Sequence, residues 1–269
     1  MPGSSESVRT MRFSRTRLWI VSSGILVVAL AGGSVALLAA APTPKAQSTF
    51  TAEPTTDTTA LALLATLPVK GKAPMTGYAR TAMFGKAWID EDRNGCDTRN
   101  DILSRDLTAV AKSGRCRVMS GQLTSPYTGH AIHFVRGNRT SAAVQIDHVV
   151  SLGDAWRTGA QRLTRAQRVA LANDPINLFA VDGRSNEQKS DGDAATWLPA
   201  AKTFRCEYVS HQVSVKATYG LWVTPAEHDA MLRVLSKCPG AAAVRSPFAP
   251  VLPVPAPAPA TAAPTSPAP

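Results

Sequence analysis

The sequence predicts a mixed α+β domain, because two short apolar segments with the character of strands occur among three segments with helical patterns. The strand candidates are Ala143–Asp147 and Ile176–Val181, which combine β-branched and apolar residues over a short run. The helical patterns lie near residues 161–172 and 199–218 and from residue 225 onward. These elements together place the folded part of the chain in the α+β class.

The clearest helix begins at Pro225. Thr224 is a preferred N-cap residue, proline is favoured at the first helical position, and Glu227 stands where a capping box needs a carboxylate. Met231 and Leu235 then supply an apolar face.

Two further helices are predicted from Gln161 to Ala172 and from Pro199 to Thr218. The segment Asn173-Asp174-Pro175 stops the first of them, and Gly220 ends the second. The second carries large side chains at helical spacing, namely Phe204, Tyr208, His211 and Val215.

Both ends of the chain are predicted to lie outside the folded unit. Residues 1–46 contain four arginines followed by an uncharged apolar run at 18–41, which indicates either a cleaved signal peptide or a retained membrane anchor. Residues 47–69, rich in threonine and alanine, are typical of a linker, and residues 240–269 form a Pro/Ala-rich tail that we expect to be disordered. The folded unit is then 70–239, on the outer side of the membrane.

Composition excludes a wholly disordered chain, because 44% apolar content with five tryptophans can bury a core. The 29 basic residues exceed the 19 acidic ones by ten, but five basic side chains and one acidic side chain belong to residues 1–46, which leaves +6. A charge of this size is compatible with a polyanionic partner and is also ordinary for a soluble exported protein.

The four cysteines favour two disulfides, since an even count in an exported protein is typical of a disulfide framework. Three pairings exist. We favour Cys96 with Cys116 and Cys206 with Cys238, because each pair closes a loop within one region. A zinc site is disfavoured, since no two cysteines lie within four residues of each other.

The residues best suited to chemistry lie beside the two predicted strands. Asp147 and His148 end the first strand, and adjacent residues of a strand point to opposite sides. Asn186 and Lys189 are three apart and share a face if their segment is helical. Asp147 and the Asn186 amide oxygen suit a hard cation such as Mg²⁺ or Mn²⁺. A neutral His148 suits the removal of a proton from water that attacks a phosphodiester.

The spacing of these residues resembles that of the HNH endonucleases. The shared order is Asp-His, then Asn-Leu, then Asn-x-x-Lys, here at 147–148, 177–178 and 186–189. The likeness extends to Tyr78–Asp106 and Tyr208–Leu221, which resemble an exported bacterial branch related to the GmrSD-type C-terminal nuclease domain. The resemblance implies a ββα-metal core, also called the HNH or His-Me finger, embedded in a mainly helical domain.

The resemblance also implies a role for each matching residue. Asp147 corresponds to the first metal ligand and His148 to the general base. Asn177 corresponds to the middle asparagine, which ties the loop together and orients the base. Asn186 corresponds to the last metal ligand, often histidine in the family, and this difference favours Mg²⁺ or Mn²⁺. Lys189 falls on a position that commonly contacts phosphate.

A second polar segment, residues 90–101, has the oxygen spacing of a calcium-binding loop. Its candidate Ca²⁺ ligands are Asp90, Asp92, Asn94 and Asp101. Two arginines within the loop and the expected disulfide at Cys96 oppose this interpretation. A polar turn, or a loop in which Arg99 faces substrate phosphate, is the alternative.

Basic residues bracket Asp147 and His148 in the sequence and suit the neutralisation of phosphates. Arg157 therefore joins Arg99 and Lys189 as a candidate substrate-binding residue. A solvated helix face equally explains some of the other arginines: Arg162, Arg165 and Arg168.

These features together predict an exported, metal-dependent endonuclease that hydrolyses phosphodiester bonds of DNA or RNA with low sequence specificity. The alternative is a non-catalytic module on a degenerate HNH scaffold that binds the cell envelope or nucleic acid. Residues 18–41 allow membrane anchoring, and no protein partner is inferred.

Overall fold

The computed structural model describes residues 54–248, which form eight α-helices, several 3₁₀ turns and three small sheets. This content is compatible with the predicted α+β class. In this part of the chain, no helix is long and apolar enough to cross a membrane. The predicted signal or anchor segment, the first part of the linker and the tail beyond residue 248 lie outside the described residues.

The helices and strands are interleaved along the chain. The helices are α1 (Ala60–Leu64), α2 (Arg80–Phe84), α3 (Thr98–Asp106), α4 (Leu152–Arg157), α5 (Arg165–Asn173), α6 (Gly183–Lys189), α7 (Arg205–Thr218) and α8 (Pro225–Leu235). The strands are β1 (Pro54–Thr59), β2 (Thr108–Ser113), β3 (Arg117–Thr124), β4 (Ala131–Val135), β5 (Val144–His148), β6 (Leu178–Asp182) and β7 (Ala242–Val244).

The two predicted strands are confirmed, and they pair with each other. β5 and β6 are antiparallel, in a register that runs from Val144 opposite Asp182 to His148 opposite Leu178. Helix α6 follows β6 directly along the chain. Side chains from this pair contribute to two different apolar clusters of the core, Val181 to one and Ile146 to the other. Packing on both clusters therefore holds the β5–β6 pair in the core.

The predicted capping box of the last helix is confirmed. The Thr224 hydroxyl accepts from the Glu227 backbone N–H, and the Glu227 side chain accepts from the Thr224 backbone N–H. The other two helices begin later than predicted. Residues 202–204 form a 3₁₀ turn before α7, and an equivalent capping box at Thr164 fixes the start of α5.

A three-stranded antiparallel sheet, β2-β3-β4, was not predicted from the sequence. Its strands are short and partly exposed, so they lack the apolar runs that reveal a buried strand. Phe134 and Val118 pack its inner face against α3. The Asn100 side chain of α3 also accepts a hydrogen bond from the Val118 backbone N–H at 3.0 Å.

The folded unit extends beyond the predicted limits of 70–239 at both ends. Ala60 and Leu64 of α1 are buried in the core, so the later part of the predicted linker is folded. β1 pairs with β7, which follows residue 239. The threonine and alanine content that suggested a linker is also compatible with a short strand and a short apolar helix.

Both favoured disulfides are present in the structure. Cys96 bonds Cys116 and joins the polar 90–101 segment to the β2–β3 turn. Cys206 bonds Cys238 and joins the start of α7 to the end of α8.

Helix α4 is held by buried ion pairs. Lys216 of α7 is fully buried, with its Nζ atom 3.0 Å from an Asp154 carboxylate oxygen and 2.9 Å from a Glu227 oxygen. These contacts join α4, α7 and α8.

Candidate active site

A polar cavity of about 290 Å³ opens at the end of β5. Its lining includes Tyr78, Arg80, Asp147, His148, Asn186 and Asp191. The structure therefore brings together three of the residues selected from the sequence: Asp147, His148 and Asn186. The remaining candidates, Asn177, Lys189, Arg99 and Arg157, are not part of this lining.

The hydrogen-bond partner of His148 determines which of its two ring nitrogens carries the hydrogen. Its Nε2 atom lies 2.9 Å from the Ala172 carbonyl oxygen, which can only accept, so Nε2 carries the hydrogen. Burial, followed by the positive charge of Arg80, lowers the pKa of His148 to about 3. The imidazole is therefore neutral at pH 7, and Nδ1 keeps an unprotonated lone pair. Trp88 stacks on the ring, with the ring centroids 5.9 Å apart.

Asn177 holds the segment that orients His148. Its side-chain oxygen accepts from the Val150 backbone N–H at 2.8 Å, and its amide nitrogen donates to the Leu171 carbonyl oxygen at 3.2 Å. The next residue, Ala172, supplies the carbonyl group to which His148 donates. The amide thus joins the loop after β5 to the end of α5, and a role of Asn177 in orienting the base stays a prediction.

Asp147 is buried and paired. The Lys189 ammonium lies 3.0 Å from one carboxylate oxygen, and the Tyr127 hydroxyl donates to the other. Burial raises the pKa of the Asp147 carboxyl above its usual value, while Lys189 and the hydroxyl of Tyr127 act in the opposite direction. Lys189 also donates to the His148 carbonyl oxygen at 2.8 Å. Its ammonium is therefore directed into the fold, and a phosphate contact by Lys189 stays a prediction.

The Asn186 side chain is oriented by a chain of hydrogen bonds. Its amide nitrogen donates to Gln145 Oε1 at 2.7 Å, and the Gln145 amide nitrogen donates to Glu187 Oε1 at 3.3 Å. Because the Asn186 nitrogen is engaged in this way, its oxygen is the atom left for a ligand.

Several residues of the site were not found from the sequence. Arg80 and Trp88 come from the segment around α2 and reach His148 across more than fifty positions of chain. Tyr127 reaches Asp147 from the turn between β3 and β4. No local pattern marks such long-range contacts. Asp191 could have been found from the sequence, because it is a carboxylate only two residues after Lys189, in the segment that already contained candidate site residues.

Two predicted substrate-binding residues lie away from the cavity lining. Arg99 donates from α3 to the Val144 carbonyl oxygen at 3.0 Å, at the opposite end of β5 from His148. Arg157 is half-buried at the end of α4. Their contact with substrate stays a prediction.

The predicted calcium loop is held by its own hydrogen bonds. The Asp90 carboxylate accepts from the Gly95 backbone N–H at 2.9 Å, and the Asp92 carboxylate accepts from the Asn94 backbone N–H at 3.1 Å. Burial, with the neighbouring carboxylates, raises the pKa of Asp101 to about 6. These contacts are those of a polar turn, and calcium binding stays a prediction.

The oxygen atoms around the cavity suit a hard divalent cation. The donors are the Asp147 and Asp191 carboxylates and the Asn186 amide oxygen. Within residues 54–248, no group of three or more His, Cys, Asp or Glu side chains is arranged to hold a metal ion. Metal binding by Asp147 and Asn186 stays a prediction.

The comparison with known families gives the class of the protein. The family model for the C-terminal domain of GmrSD restriction endonucleases matches residues 97–234. The chain belongs to this family, and its class is nuclease-type. The bacterial branch suggested by the sequence stays a prediction.

A curated relative shares much of the chain. It is an "Uncharacterized secreted protein" of Arthroderma benhamiae, 38% identical over 183 residues that cover 67% of this chain and 85% of the relative. No solved structure matches the chain.

Proposed function

We propose that the chain is an exported, metal-dependent endonuclease that hydrolyses phosphodiester bonds of DNA or RNA with low sequence specificity. The observation that carries this proposal is the state of His148: it is neutral, donates through Nε2 to Ala172, and stands beside Asp147 and Asn186 at one polar cavity. The strand pair β5–β6 followed by α6 also supports an HNH-type ββα core.

The Asp147 carboxylate and the Asn186 oxygen would hold Mg²⁺ or Mn²⁺. A cation bound there supplies Lewis-acid polarisation of the scissile phosphate and stabilisation of the leaving oxygen. Lys189 and Tyr127 fix the Asp147 carboxylate in place, and Gln145 fixes the Asn186 amide.

His148 acts as the general base in this proposal. Its Nδ1 atom accepts a proton from water as the water attacks phosphorus, while the Nε2 hydrogen bond to Ala172 keeps the ring in the required tautomer. Arg80 is exposed at the cavity and forms no ion pair within residues 54–248. Its guanidinium is suited to a substrate phosphate.

A polyanionic substrate agrees with the charge of the unpredicted sheet. No acidic residue occurs from position 107 to 146, a range that contains the whole β2-β3-β4 sheet. Lys112, Arg117 and Arg139 are exposed in this range. Such a surface favours contact with phosphates regardless of base sequence.

Export is supported by two observations. Two disulfides are typical of an oxidising compartment outside the cytoplasm, and the name of the curated relative states that it is secreted. Whether residues 1–46 are cleaved or anchor the chain is decided by N-terminal sequencing of the exported protein.

The full chain, incubated with supercoiled plasmid, single-stranded DNA or RNA, is expected to cut at least one of them when Mg²⁺ or Mn²⁺ is present. Chelation with EDTA should remove the activity, because the oxygen donors then have no cation to place at the phosphate. Gel analysis of the products measures both effects. A folded chain that binds DNA but never cuts it would support the non-catalytic alternative.

Replacing Gln145 with leucine is expected to weaken Mn²⁺ binding about tenfold or more, because the Asn186 amide loses the acceptor that orients it. Isothermal titration of the full chain with Mn²⁺ measures the change. Unchanged affinity in Gln145→Leu would show that Asn186 needs no such support.

A further inference from the structure

Asp191 is the carboxylate of the cavity that the resemblance to HNH endonucleases leaves without a role. It lines the same cavity as Asp147 and Asn186. Ser190, just before it, has a φ of 48°, in the left-handed region that residues other than glycine rarely adopt. This turn ends α6 and separates Lys189, which is directed into the fold, from Asp191 at the cavity.

Gly153 provides the space that the Asp191 carboxylate occupies. A β-carbon at position 153 would lie 2.3 Å from Asp191 Oδ2 and 2.6 Å from Oδ1, far inside contact distance. Gly153 belongs to α4 and its φ is not positive, so its backbone conformation does not require glycine. Glycine is less favourable than alanine inside a helix. The space for the carboxylate is therefore the reason that the structure gives for glycine at this position.

The charges of the site explain why a second carboxylate is needed. Lys189 neutralises Asp147 at 3.0 Å, and Asn186 is uncharged, so these residues together offer a dication no net negative charge. Arg80 adds a positive charge at the same cavity. The ion pairs among residues 54–248 do not include Asp191, so no basic side chain there lies within ion-pair distance of its carboxylate.

We propose that Asp191 is a third oxygen ligand of the divalent cation, beside Asp147 and Asn186, and that Gly153 makes room for it. The inference rests on the proposed function and adds a ligand to it. Carboxylate oxygens are the preferred ligands of Mg²⁺ and Mn²⁺, and each added negative charge strengthens the binding of a hard cation.

The test is Mn²⁺ binding by the full chain, measured by isothermal titration without substrate. Asp191→Asn removes the charge and keeps the size of the side chain, and we expect affinity to fall about tenfold or more. Gly153→Ala displaces the carboxylate and should cause a similar fall. Asp229→Asn, which removes an exposed carboxylate of α8, is the matched control and should leave affinity unchanged.

The double variant Gly153→Ala/Asp191→Ala, compared with Asp191→Ala, separates the two residues, because alanine at position 191 has no oxygen that a β-carbon at position 153 could displace. If Gly153 acts only through Asp191, the double variant binds Mn²⁺ no more weakly than Asp191→Ala alone. A further fall in the double variant would overturn the role given to Gly153. Thermal unfolding of each variant, followed by circular dichroism, checks that the fold is retained.

The outcomes distinguish this inference from the proposed function. If the wild-type chain binds Mn²⁺ and cuts DNA but Asp191→Asn and Asp191→Ala both bind Mn²⁺ equally well, Asp191 is not a ligand and the nuclease proposal stands. If the wild-type chain neither binds Mn²⁺ nor cuts any nucleic acid, the proposed function fails and this inference fails with it.

Discussion

Replacing His148 with alanine is expected to slow plasmid nicking by a factor of about 10² to 10⁴, the usual contribution of a general base. The reason is that the variant loses the neutral imidazole from the cavity that Asp147 and Asn186 also line. The rate is measured from the conversion of supercoiled to open-circular plasmid at saturating Mg²⁺ or Mn²⁺. Equal nicking by the variant and the wild type would eliminate His148 as the base.

His211 is the matched control for His148. It is also buried, burial lowers its pKa to about 4, and its Nδ1 atom lies 2.7 Å from the Ile176 carbonyl oxygen. It is not part of the cavity lining. His211→Gln is therefore expected to retain nicking, so that a loss confined to His148→Ala reports chemistry and not the loss of a buried imidazole.

The pKa of His148 also predicts the pH dependence of the reaction. A pKa lowered to about 3 keeps the imidazole neutral and able to accept a proton well below pH 6.5. The acid limb of kcat/KM should therefore not lie near 6.5, the value of an unperturbed histidine. Proton–nitrogen NMR of the imidazole, which distinguishes the neutral Nε2–H tautomer from imidazolium, checks the protonation state directly.

The sequence predicted those features of the site that depend on near neighbours in the chain. The capping box at Thr224 is a contact between residues three apart, and the position of Asp147 and His148 at the end of a strand follows from the short apolar run before them. The two disulfide pairings were predicted because each joins cysteines that are close in the sequence and closes a loop within one region of the chain. In each case the information lies within a short segment.

The features that the sequence did not predict depend on the packing of distant segments. Tyr127 contacts Asp147 because it lies in the turn between β3 and β4, and this turn packs beside β5. The sequence does not predict this contact, since the strands of that sheet have no strong apolar pattern. Arg80 and Trp88 reach His148 because α2 packs near α4 and α5. Lys189 ends helix α6, but the direction of its side chain is determined by the buried Asp147 carboxylate, which lies 42 positions away in the chain.

Replacing Lys189 with methionine is expected to lower the free energy of unfolding by about 3–5 kcal/mol, because it leaves the Asp147 carboxylate buried without its counterion. Urea denaturation of both proteins at pH 7 measures the difference. Lys112→Met, which removes an exposed ammonium from β2, is the control and should change stability by less than about 0.5 kcal/mol.

The double variant Lys189→Met/Asp147→Asn tests the cause of this loss. Without a charge at position 147 there is no unpaired buried ion, so the double variant should regain much of the lost stability. The pH dependence gives the same information independently. In Lys189→Met the folded-state pKa of Asp147 is raised above its unfolded value, so folding takes up a proton and the deficit shrinks as the pH falls below that pKa. The double variant should not show this recovery.

These measurements decide between two roles for Lys189. If its ammonium served only to contact phosphate, as its position in the HNH pattern suggests, Lys189→Met would weaken DNA binding and leave stability within about 0.5 kcal/mol of the wild type. If it acts as the counterion of Asp147, stability falls and the loss is relieved by Asp147→Asn. The burial of the Lys189 ammonium, 3.0 Å from the Asp147 carboxylate and 2.8 Å from the His148 carbonyl oxygen, favours the second result.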